Sequence, residues 1–514
     1  MNNDHITITP QSTIYICKTP LENDYKNQLT FSNLETQLQY FQSTIQKSFS
    51  EYTYIKKDNV VNVGINIDEI INCNYLFYTN TGFTNKTYYC FITNMQYVNE
   101  NCTKITFETD CFQTYQFDIV YVNTFIEREH VTDDTLGKNT VPETLECGDY
   151  VINAHLRDSH LSNANLSLVV ASAVVPSDMV TLYGGNFNGI YSGIRYYTYS
   201  ASNMTTALQH MADNNKQDAV SSLFVAPDFL LTNVGGVVTN STTPATYDLG
   251  VSPIATLNGY SPRNNKLLCY PFSYLLATNG NGQHAIYKQE LFTEKNLSNE
   301  YVFRVYGVLT PGCSIRMIPI NYDGTELNSD AGINLGKFPQ CNWVTDMYTN
   351  WVTMNGVNVM TQAVTSAVSL GTAIATENVQ GTINGVAQVT NVLDEVRKAE
   401  LIPPQIYGNV NCGDVVTSSG NNTFHLYRMT IKQEMARIID NYFDMFGYKI
   451  NRVKTPNIHT RSNWNFVKTI DCNLEGDIPQ TDLNILKQMF NNGVTFWHDS
   501  TKMYDYSQTN SILT

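Results

Sequence analysis

A two-residue rhythm is the strongest constraint on this chain. In its first 135 residues, aromatic and β-branched side chains alternate with polar ones, as in Tyr89-x-Phe91, Met95-x-Tyr97 and Ile105-x-Phe107, with the turn residues Asn99-Glu100-Asn101 in between. Successive strand residues point to opposite faces, so this period predicts a β-hairpin. The run Phe112-Gln-Thr-Tyr115-Gln-Phe117-Asp-Ile119-Val-Tyr121 continues the alternation and predicts a further strand. The chain holds 33 Tyr, 23 Phe and 4 Trp, and only 15% of its residues are charged, against about 25% in ordinary soluble proteins. Such a composition excludes disorder for most of the chain. Its 514 residues suffice for three or four domains of roughly 150 residues each.

Composition shifts divide the chain into five segments. Residues 1–135 form a β-rich domain, and the polar stretch from Asp133 to Gly148 marks its end. Residues 136–263 read as a mixed α/β domain, with helices expected near Met204 to Ala212 and Gln217 to Val225, the second stopped by Pro227. Residues 264–345 return to strand alternation, with turns at Asn279-Gly-Asn-Gly282 and Pro311-Gly312. Residues 346–404 read as a helical hairpin. Residues 405–514 hold two clearer helices, one from about Arg428 to Phe446 with Gly447 as its cap, and one with Asp482 in its first turn that closes at Gly493. The expected class is α+β, mainly β with some α.

The fourth segment is the compositional outlier, since Glu377 is the only charge between Asp346 and Asp394. Val357, Met360, Val364, Ala367, Gly371 and Ile374 follow one another at spacings of 3, 4, 3, 4 and 3, with Val368 beside them. A second stripe runs Ile383, Val386, Val389, Leu393 and Val396, and Pro403-Pro404 stop it. Stripes this narrow and small suit close helix–helix contact. Residues 347–376 hold 16 apolar residues in 30, too dilute for an ordinary membrane span of about 20 predominantly apolar residues. An ordinary core hairpin, an oligomeric bundle and a segment released into a bilayer all fit this pattern.

Several function classes find no starting point. With 31 Lys plus Arg against 46 Asp plus Glu, the formal charge of −15 repels phosphate at long range and argues against stable nucleic-acid binding. The basic zone from Arg428 to Lys468, with Trp464 and Phe466 interleaved, reads better as an ion-paired surface or interface than as a nucleic-acid contact. Eleven scattered cysteines, an odd number without a Cys-x-x-Cys pair, read as reduced and mostly buried rather than as a disulfide framework or zinc site. Seven Asn-x-Ser/Thr sequons are expected by chance in so Asn- and Thr-rich a chain. The start, Met1-Asn-Asn-Asp-His-Ile-Thr, lacks the pattern of a cleaved signal, so the chain is expected to fold where it is made. No phosphate-binding glycine loop, His-Glu-x-x-His or Gly-x-Ser-x-Gly occurs, and no cofactor is expected. Glu127-Arg128-Glu129-His130 is the densest polar cluster; it reads as a solvated strand end whose charges pair with one another rather than as an acid/base or metal site.

Six strings resemble one family in order: Asn23-Asp24-Tyr25-Lys-Asn27; Phe107 to Thr114 followed by Phe125-Ile-Glu-Arg-Glu129-His130-Val131; Lys266-Leu-Leu-Cys-Tyr270-Pro271-Phe272; Ile402-Pro403-Pro404-Gln405; Gly447-Tyr448-Lys449-Ile-Asn-Arg-Val-Lys454; and Asn492-Gly-Val-Thr-Phe-Trp497-His498. Together they resemble the tail knob, or distal tail tube, proteins of small short-tailed phages with protein-primed linear genomes, the picovirus group infecting Gram-positive bacteria. The likeness spans nearly the whole chain and is loosest between residues 140 and 260. It implies a homohexameric virion tube at the tail tip, made in the host cytoplasm, that contacts other tail proteins (the lower collar and the tail tip) and conducts phage DNA without sequence-specific binding. It also implies a loop, here about residues 346–401, that plugs the tube and then forms a pore in the host membrane. This segment is shorter and more polar than the family's loop, which favours the plug over the membrane role. A receptor-binding adhesin with an aromatic glycan platform, or a cell-wall hydrolase, are the alternatives.

Overall fold

A computed structural model of the chain describes residues 11–52, 59–80, 84–161, 166–173, 186–187, 190–191, 195–199, 219–232, 245–308, 313–336, 338, 340–342, 409–411 and 423–513. The expected helix at Met204 to Ala212, the turn at Pro311-Gly312, both small-residue stripes (Val357 to Ile374 and Ile383 to Leu393) and Pro403-Pro404 lie outside these residues. The chain is mostly β-sheet with few helices, as the composition led one to expect, and it divides into two compact units.

The first unit comprises Met1–Glu146, Pro262–Leu267 and Arg437–Thr514. Its larger sheet has six antiparallel strands in the spatial order Ile45–Tyr52, Ser12–Cys17, Tyr75–Asn80, Thr84–Asn99, Cys102–Thr109, Val60–Val63. The two-residue period explains how this sheet buries both faces. Tyr75, Phe77, Tyr89 and Phe91 point into one cluster with Phe41, Trp464 and Trp497, while Leu76, Tyr78 and Cys90 point into another with Ile14, Ile16, Ile105 and Phe107. The ring of Phe41 stacks on Tyr75 at 5.3 Å. Phe41 is delivered by helix α1, Leu34–Ser43, whose start is set by the Asn33/Thr36 capping box.

Thr84–Asn99 and Cys102–Thr109 form the expected hairpin. The strand expected from Phe112 does not continue it, because Asp110 accepts hydrogen bonds from the Phe112 and Gln113 amides and starts helix α2, Cys111–Tyr115. All five residues of α2 are buried, so the apolar run that imitates alternation is a fully enclosed turn of helix.

A second sheet in this unit has the order Asn27–Leu29, Val494–Trp497, Trp464–Ile470, Thr124–Glu129, Tyr448–Lys454, with the first pair parallel and the others antiparallel. Sequence-remote segments meet here, residue 27 lying beside residue 495.

The second unit comprises Cys147–Ser261 and Leu268–Ala436. One of its sheets runs Tyr150–Arg157, His425–Ile431, Ser273–Thr278, His284–Tyr287, and another Ala245–Val251, Tyr301–Val308, Ser314–Pro319, Ile333–Leu335. Both feed one core containing Leu275, Tyr287, Phe303, Val305, Ile315 and Leu426. A third has the order Arg195–Tyr199, Leu166–Ser172, Val220–Pro227, Gln340–Asn342, Asn409–Asn411.

Two helix expectations are corrected. Val220–Pro227 is a strand paired on both sides, so Gln217 to Val225 is not a helix; its β-branched residues join a central ladder. Helix α4, Gln433–Phe446, begins five residues after Arg428, because Arg428 to Ile431 complete the strand His425–Ile431. Short helix α3 is Phe229–Thr232. Helix α5, Gln480–Asn492, holds Asp482 in its first turn and closes at Gly493, as expected. The nine cysteines whose side chains are described are free thiols, seven of them buried.

Candidate functional site

Glu129, His130, Gly447, Tyr448, Lys449, Trp497 and His498, among the residues that carry the family resemblance, lie in or beside the five-stranded sheet of the first unit. Glu129 ends the strand Thr124–Glu129 and is 1% exposed. Its Oε1 accepts from Lys454 Nζ at 2.6 Å and Asn457 Nδ2 at 3.0 Å, and its Oε2 from the Asn457 amide at 3.1 Å. Burial raises its pKa, and Lys454 opposes that shift. His130, 2% exposed, accepts the Phe466 amide hydrogen at Nδ1 over 2.7 Å, and its Nε2 faces the Asp444 carbonyl at 2.9 Å. An amide only donates and a carbonyl only accepts, so the proton sits on Nε2 and the ring is neutral. Burial and the nearby Arg461 push its pKa down to about 3.

The cluster Glu127 to His130 is therefore not a solvated strand end. Only Glu127 pairs outward, with Lys468 at 2.9 Å, while Arg128 turns to Glu143 and to the Gly447 carbonyl at 2.7 Å. Buried charge demands partners, and the partners come from distant parts of the chain. Glu143, with no side-chain exposure, accepts from Lys266 Nζ at 2.6 Å, from the Lys449 amide at 2.9 Å and from Arg128. Tyr448 donates to Asp134 at 2.7 Å. Asp440 on α4 accepts from the Arg263 amide at 2.9 Å and Asn264 Nδ2 at 2.8 Å.

Gly447 joins α4 to the strand Tyr448–Lys454 at φ +64°, and a Cβ there would lie 2.1 Å from the Glu129 carbonyl oxygen. Only glycine fits this approach. Trp497 is fully buried and donates from Nε1 to Asn27 Oδ1 at 3.0 Å, its ring 5.3 Å from that of Trp464. His498 contacts Asn465 Oδ1 through Nε2 at 3.0 Å and Thr30 Oγ1 through Nδ1 at 2.7 Å, and burial holds its pKa down at about 3.

Tyr25 touches the same unit. Its hydroxyl donates to the Thr109 carbonyl and accepts from the Cys111 amide, whereas Asn23 and Asp24 are exposed in the loop before Asn27–Leu29. Tyr270 and Pro271 belong to the second unit. Sequence reading missed Asp134, Glu143, Asn264, Lys266, Asp440 and Arg461. Lys266 opens one of the resembling strings, but the others stand at no telling spacing, since their partners are more than a hundred positions away or lie in unpatterned loops.

The basic zone behaves as an ion-paired surface only in part. Lys454 and Lys468 pair with Glu129 and Glu127, and Lys432 with Asp149, but Arg461 is buried and donates to the Val131 carbonyl at 3.0 Å. Trp464 and Phe466 are buried too, so neither offers a ring face to a base. Every polar group of Glu129, His130 and Glu143 is engaged in holding strands together, which is scaffold chemistry. Among the described residues no group of three or more His, Cys, Asp or Glu could hold a metal ion, and no helix is long and apolar enough to cross a membrane.

A family model described as the C-terminal domain of Bacillus phage phi29 tail knob protein gp9 matches residues 235–511, more than half of the chain. The chain belongs to the phage tail knob family. A second model, the N-terminus of the caudoviral major tail protein, matches residues 11–120, the six-stranded sheet included. Tail knob protein gp9 of Bacillus phage B103 is 24% identical over 96% of this chain and 97% of its own length. Tail knob protein gp9 of Bacillus phage phi29 is 23% identical over 99% of this chain and 100% of its own length. Among solved structures, the bacteriophage C1 tail knob protein gp12 covers 98% of this chain with a TM-score of 0.63 at 15% identity, a likeness of fold. As a tail knob family member the chain is a structural component of the phage virion tail rather than an enzyme.

Proposed function

We propose that six copies of this chain form the distal tube of the tail, that phage DNA leaves through its lumen, and that residues 346–401 close the lumen until ejection. The observation that carries this reading is the end-to-end correspondence with tail knob proteins. Physical chemistry supports it. Few charges and many aromatics suit extensive subunit contacts. Six copies carry 6 × −15 = −90 formal charges, and an acidic lumen lets a polyanion slide where a basic one would retain it. The charge-poor stripes Val357 to Ile374 and Ile383 to Leu393, repeated about a sixfold axis, would pack as a bundle across the opening. On release, the same segment enters the host membrane. The resembling residues, Glu129, His130, Gly447, Tyr448, Lys449, Trp497 and His498, serve as the internal scaffold of each subunit. The lower collar and tail tip supply the flanking contacts.

Light scattering of the purified chain followed by cryo-electron microscopy tests the reading. A sixfold tube with density from 346–401 across its lumen is expected, and deletion of 346–401 should open the tube without dissolving it. Release of dye from liposomes by the full chain, and not by the deletion variant, is expected if the segment enters membranes. A chain that stays monomeric in solution and in the virion would overturn the proposal.

A further inference from the structure

The sheet Tyr150–Arg157, His425–Ile431, Ser273–Thr278, His284–Tyr287 has one face in the core of the second unit. Its register puts Leu156, Leu426, Ala277 and Ala285 in one row, all in or against that core. The rows between point the other way. Ile152, Met429 and Tyr274 make the first outward row; His155, Tyr427, Leu276 and Ile286 the second; Arg157, His425, Thr278 and His284 the third.

An antiparallel sheet with a solvent face ordinarily carries polar residues there. Here two of the three outward rows are apolar or aromatic, with Ile152 58% and Ile286 44% exposed. Tyr150 and Tyr270 extend the patch through ring contacts to Tyr274 at 5.3 and 6.0 Å. His155 and His425 lie 2.9 Å apart and stack with Tyr427, so their rings form one continuous aromatic strip. Arg157 in the third row and Lys288, whose Nζ lies 4.7 Å over the Tyr270 ring, are the cations of this face; burial and the neighbouring His155 hold the His425 imidazole toward its neutral form, and no acidic residue stands in any of the three rows.

A surface of complementary character stands elsewhere in the same unit. The loops at 293–300 and 321–331 are tied together by the Thr293 amide to the Asn321 carbonyl and by Asn321 Nδ2 to Glu294. They project Leu297, fully exposed, and Leu327, 62% exposed, and their charged residues are Glu294, Glu300, Asp323, Glu326 and Asp330 against Lys295 alone.

We infer that these leucine-tipped acidic loops of one copy dock on the aromatic, acid-free sheet face of the next. The inference rests on the oligomeric reading above and deepens it by naming the contact. Charge complementarity identifies a second copy of this chain as the occupant, because both halves of the match are on its own surface. Exposed leucine and isoleucine give nothing to a phosphate backbone, which disfavours DNA as the occupant. The two surfaces differ, so the contact is head-to-tail, and a head-to-tail contact repeats until a ring closes.

The test uses the full-length chain in two variants. One carries Ile152→Asp and Ile286→Glu on the sheet; the other carries Leu297→Lys and Leu327→Lys on the loops. All four positions are exposed, and unchanged far-ultraviolet circular dichroism and thermal midpoint check the fold. By light scattering each variant alone should fall to the 58.0 kDa monomer. Mixed together they should form a 1:1 dimer and no more, since one intact sheet face meets one intact loop pair. If the parent chain is oligomeric and both variants keep its mass, the contact is elsewhere and the inference fails while the tube reading stands. A parent chain that is monomeric in solution and in the virion removes both.

Discussion

Replacing Glu143 with alanine should cost the first unit about 4 kcal/mol, roughly half the stability of a typical domain. The figure follows from the geometry. The carboxylate has no exposure, Lys266 is 4% and Arg128 11% exposed, and the Lys449 amide donates to the same group. Removing one partner of a buried ion pair costs about 3–5 kcal/mol, because the remaining charge stays buried without compensation. A lost acceptor for a buried amide adds about 1–3 kcal/mol, but terms within one network do not sum. Lys266 retains the Lys449 carbonyl at 3.3 Å and Arg128 the Gly447 carbonyl at 2.7 Å, which moderates the loss. Guanidinium unfolding followed by tryptophan fluorescence is the assay, since Trp464 and Trp497 are both buried in this unit. Glu143→Leu combined with Lys266→Met should cost less than Glu143→Ala, having removed one of the two stranded cations. A loss below about 1 kcal/mol for Glu143→Ala, with an unchanged denaturant slope, would refute the view that this carboxylate holds three chain segments together.

Other perturbations probe the same scaffold. Gly447→Ala should destabilise by more than about 1 kcal/mol, because its Cβ would meet the Glu129 backbone at 2.1 Å in a left-handed conformation; a neutral result in thermal melts would show that the chain relaxes there. Trp497→Ala should cost about 3–5 kcal/mol and leave Asn27 Oδ1 without its indole donor, as measured by the denaturation midpoint. His130 and His498 have folded pKa values near 3, below the ordinary value of about 6.5. They therefore contribute stability that is complete above pH 6.5 and is lost as the pH falls toward 3, by up to about 1.4 kcal/mol per pH unit each. Buried carboxyls with raised pKa, such as Asp110 at about 7, pull the other way. The clean readout is thus a comparison, in which His498→Asn should show a shallower loss of stability than the parent between pH 6.5 and 4.

The arrangement gives the resembling strings a physical meaning. Gly447 lets helix α4 pass directly into a strand against Glu129, and the bonds of Glu129 and His130 then reach Lys454, Asn457, Phe466 and Asp444. A subunit built in this way resists opening along such seams. Buried, charge-assisted bonds between sequence-remote segments supply that resistance, because separating them exposes unpaired charge.

The hairpin Thr84–Asn99 with Cys102–Thr109 and helix α5 were legible in advance, since each depends on a local period and a local stop: alternation with Asn99 to Asn101, and helical spacing with Gly493. The strand at Val220–Pro227 and the helix at Cys111–Tyr115 were misread for one reason. Cys111–Tyr115 is buried throughout, and Phe224, Ala226 and Pro227 of the strand are buried in near succession; burial of neighbours on both faces erases the contrast between apolar and polar sides on which periodicity depends. The burial of Glu129, His130 and Arg461 was likewise invisible, because a charged string reads as solvated unless its partners are seen, and those partners lie up to 336 positions away. Composition and alternation by themselves determined a β-rich, aromatic, charge-poor chain, since propensity and hydrophobic burial act through local pattern and bulk content. Which charges are buried, which sheet face stays apolar and open, and which distant segments share one carboxylate were decided only by tertiary structure, because a buried charge is tolerated only where the completed fold brings its counter-charge within about 3 Å.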